Sequence, residues 1–180
     1  MQNCEQTAGQ TVYQHGISVH SYFTQIVNGD TENMRIPDWF NQYRDRILAN
    51  LYDSDTIYNY TVYHDCGKPY CREVDENGKT HFHNHAEVSK KTYLEVTNDI
   101  VVSNLIGWDM EIHTANSEEI CKLCKIWSVQ DAMTLLVAAL AELHSNARLF
   151  GGVESVSFKS KWKNWDRRSK QICKFYFGEV

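Results

Sequence analysis

Apolar residues recur along most of this chain at three- and four-residue intervals, the period of a helix with one buried face. In "HGISVHSYFTQIV" the pattern falls on Val19, Phe23 and Ile26. "IPDWFNQYRDRILANLY" repeats it with Phe40, Tyr43, Ile47 and Leu51, and Pro37 suits a first turn. "DSDTIYNYTVYHD" predicts a further helix that runs to Cys66-Gly67, with Gly67 as its stop. The period then breaks. "REVDENGKTHF" carries Asn77-Gly78, a tight-turn signal, and predicts a short hairpin or loop near 72–82. Helical spacing returns in "NHAEVSKKTYLEV", where Asn84 and Glu87 have capping-box spacing. "NDIVVSNLIG" reads as a short helix stopped by Gly107. "SVQDAMTLLVAALAELHSNARLF" is the strongest helix signal, with Ser128 as cap and Asp131 as its partner rather than a ligand. "SFKSKWKNWDRRSKQICKFYF" predicts a last amphipathic helix. The expected fold class is all-α, a compact helical bundle.

Composition changes this picture little. The 180 residues are 42% hydrophobic and 23% charged, as in an ordinary soluble globular protein, and the length suits one domain spanning 1–180. Two prolines and nine glycines leave little room for a long linker. No apolar run reaches the length of a membrane span, and "MQNCEQTAGQT" has neither the basic nor the apolar region of a signal peptide. The expectation is a cytoplasmic protein with no membrane partner; no protein partner can be inferred. The six cysteines are then expected to be reduced, and "CKLC" at 121–124, with no second ligand pair nearby in sequence, reads as two helix cysteines.

Charge adds an asymmetry. Residues 1–150 carry −9 and residues 151–180 carry +4. A basic tail on an acidic chain suits a phosphate-bearing ligand, although a solvated helix face is the commoner origin of such a run.

The candidate chemistry lies in the histidines, eight in all: 15, 20, 64, 81, 83, 85, 113 and 144. Neutral imidazoles and carboxylates are natural ligands for Mn, Fe, Co, Ni or Zn. His64 and Asp65 are adjacent, so they leave the backbone in different directions. One can serve each of two metals, or the carboxylate can bridge both. His85 falls in the first turn of its helix, where the helix dipole disfavours imidazolium and favours the neutral, metal-binding ring.

The run His64-Asp65-Cys66-Gly67-Lys68 resembles the signature of the HD-domain metal-dependent phosphohydrolases, an all-helical family. In the order of that family's motifs, His15 in "QHGISV", with Val19 four residues on, matches the leading histidine. His64 and Asp65 match the doublet, Lys68 the phosphate-contacting lysine, His85 the third histidine and His113 in "WDMEIH" the fourth. The "HDCGKP" block and the 21-residue step from His64 to His85 look closest to the phosphohydrolase module of bifunctional polynucleotide end-healing enzymes, which removes phosphate from RNA 2′ or 3′ ends. No GxxxxGK[ST] kinase loop accompanies it here. The late-helix aspartate of the family has no counterpart; Glu142 is the substitute, with His144 second.

The resemblance implies one or two divalent transition metals held by His15, His64, Asp65, His85, His113 and Glu142. Asp65 and Lys68 would be the catalytic residues, and the substrate a nucleotide or nucleic-acid end. His20 is the rival to His15. Lys68, His81, Arg148, Lys159 and Lys161 are the candidate substrate contacts, with Lys163 beside them, and Asp109 is a candidate to orient His113. His83 is expected to face solvent. Two other readings fit the same residues: a di-iron oxygenase on the same fold, and an inactive binding module stabilised by metal.

Overall fold

The computed structural model describes residues 1–7 and 9–178. They are mainly helical, with two small antiparallel sheets. The chain opens with β1 (Glu5–Thr7) and β2 (Gln10–Thr11), then α1 (Val12–Asn28), α2 (Asp38–Leu48) and α3 (Ser54–Tyr63). A 3-10 turn at Lys68–Tyr70 leads into β3 (Arg72–Val74) and β4 (Thr80–Phe82). Then follow α4 (His85–Thr97), α5 (Ile100–Trp108), α6 (Glu111–Thr114), α7 (Ser117–Leu123) and α8 (Val129–Ser145). A second 3-10 turn at Ala147–Phe150 precedes α9 (Val156–Phe177). Among the described residues, no helix is long and apolar enough to cross a membrane.

The chain forms two compact units. The first comprises Met1–His20 and Ser54–Asp109, the second Ser21–Asp53 and Met110–Val180. No glycine- or proline-rich linker marks the crossings; one of them falls inside α1.

In the first unit α5 packs on both α3 and α4. Val102, Leu105 and Ile106 of α5 and Ile57, Tyr60 and Val62 of α3 are buried there. The expected hairpin forms from β3 and β4, in register Arg72↔Phe82, Glu73↔His81 and Val74↔Thr80, around the Asn77-Gly78 turn. The sheet of β1 and β2 has no counterpart in the sequence reading, since five residues of strand carry too little alternation to register.

In the second unit α8 is buried from Ala132 through Ala141. A helix apolar on all sides belongs at a centre rather than a surface. The α9 helix packs on α6, α7 and α8. It buries one stripe that includes Phe158, Trp165, Ile172 and Cys173, and Trp165 Nε1 donates to the Leu136 carbonyl at 3.1 Å. The capping box of α8 forms as expected. Asp131 accepts from the Ser128 amide at 2.8 Å, and Ser128 Oγ accepts from the Asp131 amide at 3.0 Å.

Four local expectations are corrected. Helix α3 ends at Tyr63, before Gly67, which has φ −81° and starts the 3-10 turn. Pro37 is the residue before α2 rather than inside its first turn. Asn84 precedes α4 but makes no capping hydrogen bond, because its left-handed backbone (φ 53°) does not have the extended geometry in which a cap side chain reaches the first-turn amides. Helix α5 runs through Gly107 to Trp108; a Cβ at 107 would meet Lys90 Cδ at 2.6 Å, so the glycine makes room for a side chain of α4.

Candidate functional site in the first unit

Asp65 is the centre of the site, 2% exposed in the turn that follows α3. Three imidazoles and one ammonium converge on its carboxylate. His64 Nε2 lies 3.2 Å and His15 Nε2 3.8 Å from Oδ2, and His85 Nε2 lies 3.7 Å from Oδ1. Lys68 Nζ donates to Oδ2 at 2.6 Å and to Gln6 Oε1 at 3.1 Å. The two carboxylate oxygens therefore face different rings.

The backbone places each group. His15 enters on α1, completely buried, and Gly16 beside it lets α1 approach α3; a Cβ there would overlap the Val62 carbonyl. The His15 and His64 rings then meet edge to face, with centroids 5.2 Å apart. Gly67 does the same for α4. A Cβ at that position would overlap the backbone of Val88 and Ser89, and the Gly67 amide donates to Ser89 Oγ at 2.9 Å. That contact holds the start of α4, and with it His85, against the His64–Lys68 turn.

The far side of two rings is fixed by the main chain. His64 Nδ1 lies 2.8 Å from the Thr61 carbonyl and His85 Nδ1 3.1 Å from the Phe82 carbonyl. A carbonyl only accepts, so Nδ1 carries the proton in both rings; Nε2 presents a lone pair in the neutral form and donates to Asp65 only when the ring is protonated. This is the orientation in which histidines ligate metals, with the second ring nitrogen anchored to a backbone oxygen.

Burial alone would raise the Asp65 carboxyl. The charges of His64 and Lys68, a hydrogen bond from His64 and the charge of His15 outweigh it and hold Asp65 well below the usual carboxylate range. It is thus an anion at neutral pH. Cys66 is different: burial pushes its thiol up to about 11, and Asp65 beside it adds to the shift, so it is no thiolate nucleophile.

The remaining candidates lie as follows. His20 is turned to Thr61, its Nδ1 3.0 Å from Oγ1. His81 sits on the hairpin with Nε2 2.9 Å from Asp75 Oδ2, its ring stacked on that of His83. Both belong to an exposed hairpin pair rather than to the Asp65 cluster. Asp109 accepts from the Tyr60 hydroxyl at 2.5 Å. In the second unit His113 Nε2 and Glu142 Oε2 are 2.8 Å apart, a direct imidazole–carboxylate contact. His144 is buried in that unit between the rings of Tyr22 and Phe158, with centroids at 6.1 and 5.3 Å. Arg148 is exposed, Lys159 pairs with Glu154 at 2.7 Å, Lys161 lies over the Phe150 ring at 4.9 Å, and Lys163 is exposed.

Sequence reasoning missed the residues that position the cluster: Gln6, Gly16 and Ser89. Each acts through a backbone approach or a single hydrogen bond, and no spacing rule marks such a role. It also missed a depression of about 1070 Å³ in the first unit, lined by Met1–Glu5, Tyr13, Tyr63, Pro69 and Arg72. Tyr63 and Pro69 immediately flank the His64–Lys68 run.

No protein-family model, curated protein or solved structure matches this chain.

Proposed function

We propose that the Asp65 cluster is the centre of a metal-dependent phosphohydrolase acting on a nucleotide or a nucleic-acid end. The observation that carries this reading is the presentation of three imidazole Nε2 atoms to one buried carboxylate, with two of the rings anchored through Nδ1. The donor set of His15, His64, Asp65 and His85 fits a divalent transition metal such as Mn, Fe, Co, Ni or Zn. His15, His64, Asp65 and His85 would hold one or two such ions. Such an ion would supply Lewis-acid chemistry, lowering the pKa of a bound water and polarising a phosphoryl oxygen.

The chain's own groups have separate tasks. The Thr61 and Phe82 carbonyls hold the rings of His64 and His85 in one tautomer. Lys68 keeps Asp65 ionised and brings a buried ammonium to the site, where it offsets charge on a phosphoryl group. Tyr13, Tyr63 and Arg72 line the depression in the same unit, and aromatic faces with a guanidinium suit a base and its phosphate. The HD-domain resemblance of the sequence points to the same chemistry.

A second reading is favoured by one contact. The 2.6 Å Lys68–Asp65 pair is what a purely structural buried charge cluster would contain. Lys68→Met separates the two. If Lys68 meets substrate, kcat/KM for phosphate-monoester hydrolysis falls by about 10²-fold while bound metal stays near wild type. Loss of metal along with activity would make Lys68 a support for Asp65 alone. Full activity would remove it from the mechanism.

A further inference from the structure

The second unit contains a cavity of about 230 Å³ at the meeting of α6, α8 and α9. Its α9 wall is formed by Lys161, Asn164, Trp165 and Arg168, spaced as one helix face. Arg168 is the unusual member. It is 8% exposed, and its Nε donates to the Ala115 carbonyl at 2.5 Å. Among the described residues no carboxylate lies within ion-pair distance of its guanidinium. A buried charge without a counter-ion is costly, and proteins normally pair it. Lys161, which is exposed, has no carboxylate partner among the described residues and rests on the Phe150 ring at the same cavity.

The opposite wall is an acceptor wall. Glu142 of α8 lines it, and so does Asn146, which ends that helix. Asn146 Nδ2 donates to Glu142 Oε1 at 3.4 Å, while its buried Oδ1 has no hydrogen-bond partner. A buried amide oxygen without a donor is a vacant acceptor. The cavity thus offers two cations on one helix and an open acceptor beside a carboxylate on another.

We infer that this cavity binds a small hydroxyl-bearing oxyanion, of the sugar-phosphate class, with the phosphate on Lys161 and Arg168 and a hydroxyl on Asn146. The oxyanion provides the counter-charge that Arg168 lacks, and a hydroxyl donor satisfies Asn146 Oδ1. Lys161, His113 and Glu142 line this cavity and are also residues that the HD-domain resemblance implies, but the binding assignment needs no hydrolytic step.

The test uses the full chain treated with a chelator, so that hydrolysis does not interfere. Ribose 5-phosphate and inorganic phosphate are titrated by calorimetry. Ribose 5-phosphate should bind about tenfold more tightly than inorganic phosphate, the difference made by its hydroxyls. Lys161→Met should weaken ribose 5-phosphate by about tenfold and Arg168→Gln by about 30-fold or more. Lys174→Met, on the same helix but outside the cavity, should leave it unchanged. If Arg168→Gln does not fold, Lys161→Met decides alone. Absence of ribose 5-phosphate binding at about 10 mM, or equal binding by wild type and Lys161→Met, would overturn the site. Equal affinity for the two ligands would overturn the hydroxyl contact. A hydrolytically dead Asp65→Ala chain that still binds ribose 5-phosphate would show that the two assignments stand separately.

Discussion

The buried centre of the first unit is ionic, and that of the second is apolar. Around Asp65 a lysine ammonium and two imidazoles lie out of water, with the half-buried His85 ring beside them, all within hydrogen-bond or near-contact range of the carboxylate. Around α8 the buried residues are mostly alanine, leucine, valine and methionine, and α9 buries Trp165 and Phe158. Burying charge stabilises a fold weakly or not at all, whereas burying aliphatic and aromatic area is the main favourable contribution to folding. A buried ionic cluster therefore calls for a reason other than stability, and the proposed metal site would supply one. In the second unit Trp165 is tied to the framework through the Leu136 carbonyl, and Arg168 lines one cavity.

The largest effect is expected at Trp165. If the second unit is held by apolar packing, Trp165→Ala should destabilise the chain by about 3–5 kcal/mol, read from denaturant unfolding. A loss below about 1 kcal/mol would mean that α8 and α9 are not the stabilising centre.

The next effect is on acid stability. Burial holds His144 neutral and lowers its pKa from 6.5 to about 4. The unfolded chain therefore takes up a proton as pH falls below 6.5, while the folded chain does not do so until about pH 4. Stability is unaffected above that window and declines through it by about 3 kcal/mol in total. His144→Leu should flatten the pH dependence of the melting temperature between pH 6.5 and 4. An unchanged slope in the variant would place the acid sensitivity elsewhere. The Asp65 contribution has the same sign but a lower window: its pKa is depressed, so its stabilisation is present above the ordinary carboxylate range and is lost only as pH falls beneath it.

The smallest effect is local. Ser128→Ala removes the reciprocal cap of α8 and should cost about 1 kcal/mol, measured by the same unfolding experiment. No measurable change would show that the helix start is held by packing alone.

How far the sequence revealed these regions follows from the kind of signal each carries. The α8 and α9 helices were legible because burial repeats with the helix period over many turns, and because Ser128 and Asp131 stand at capping distance. The Asp65 cluster was legible as residue types in order, since His15, His64, Asp65, Lys68 and His85 do come together in the first unit. The ends of α3 and α5 were not. Gly67 and Gly107 look like stop signals in sequence, but both are glycines because another element approaches them closely. The division into two units was hidden for a related reason: one crossing lies within a continuous helix, where composition does not change. The cavity on α9 was half visible, as a basic tail. Which cations lack a partner depends on contacts that composition does not show: Lys159 pairs with Glu154, while Arg168, among the described residues, meets only a carbonyl.

The most direct test of the central claim is the metal content of the purified chain, measured by elemental analysis for wild type and for Asp65→Ala, with folding of both verified by circular dichroism. A metal site centred on Asp65 predicts about one to two equivalents of transition metal in wild type, removable by chelator together with phosphatase activity, and a large loss of both in the variant. Wild-type protein that is active without metal, or an Asp65→Ala chain that keeps its full complement, would contradict it.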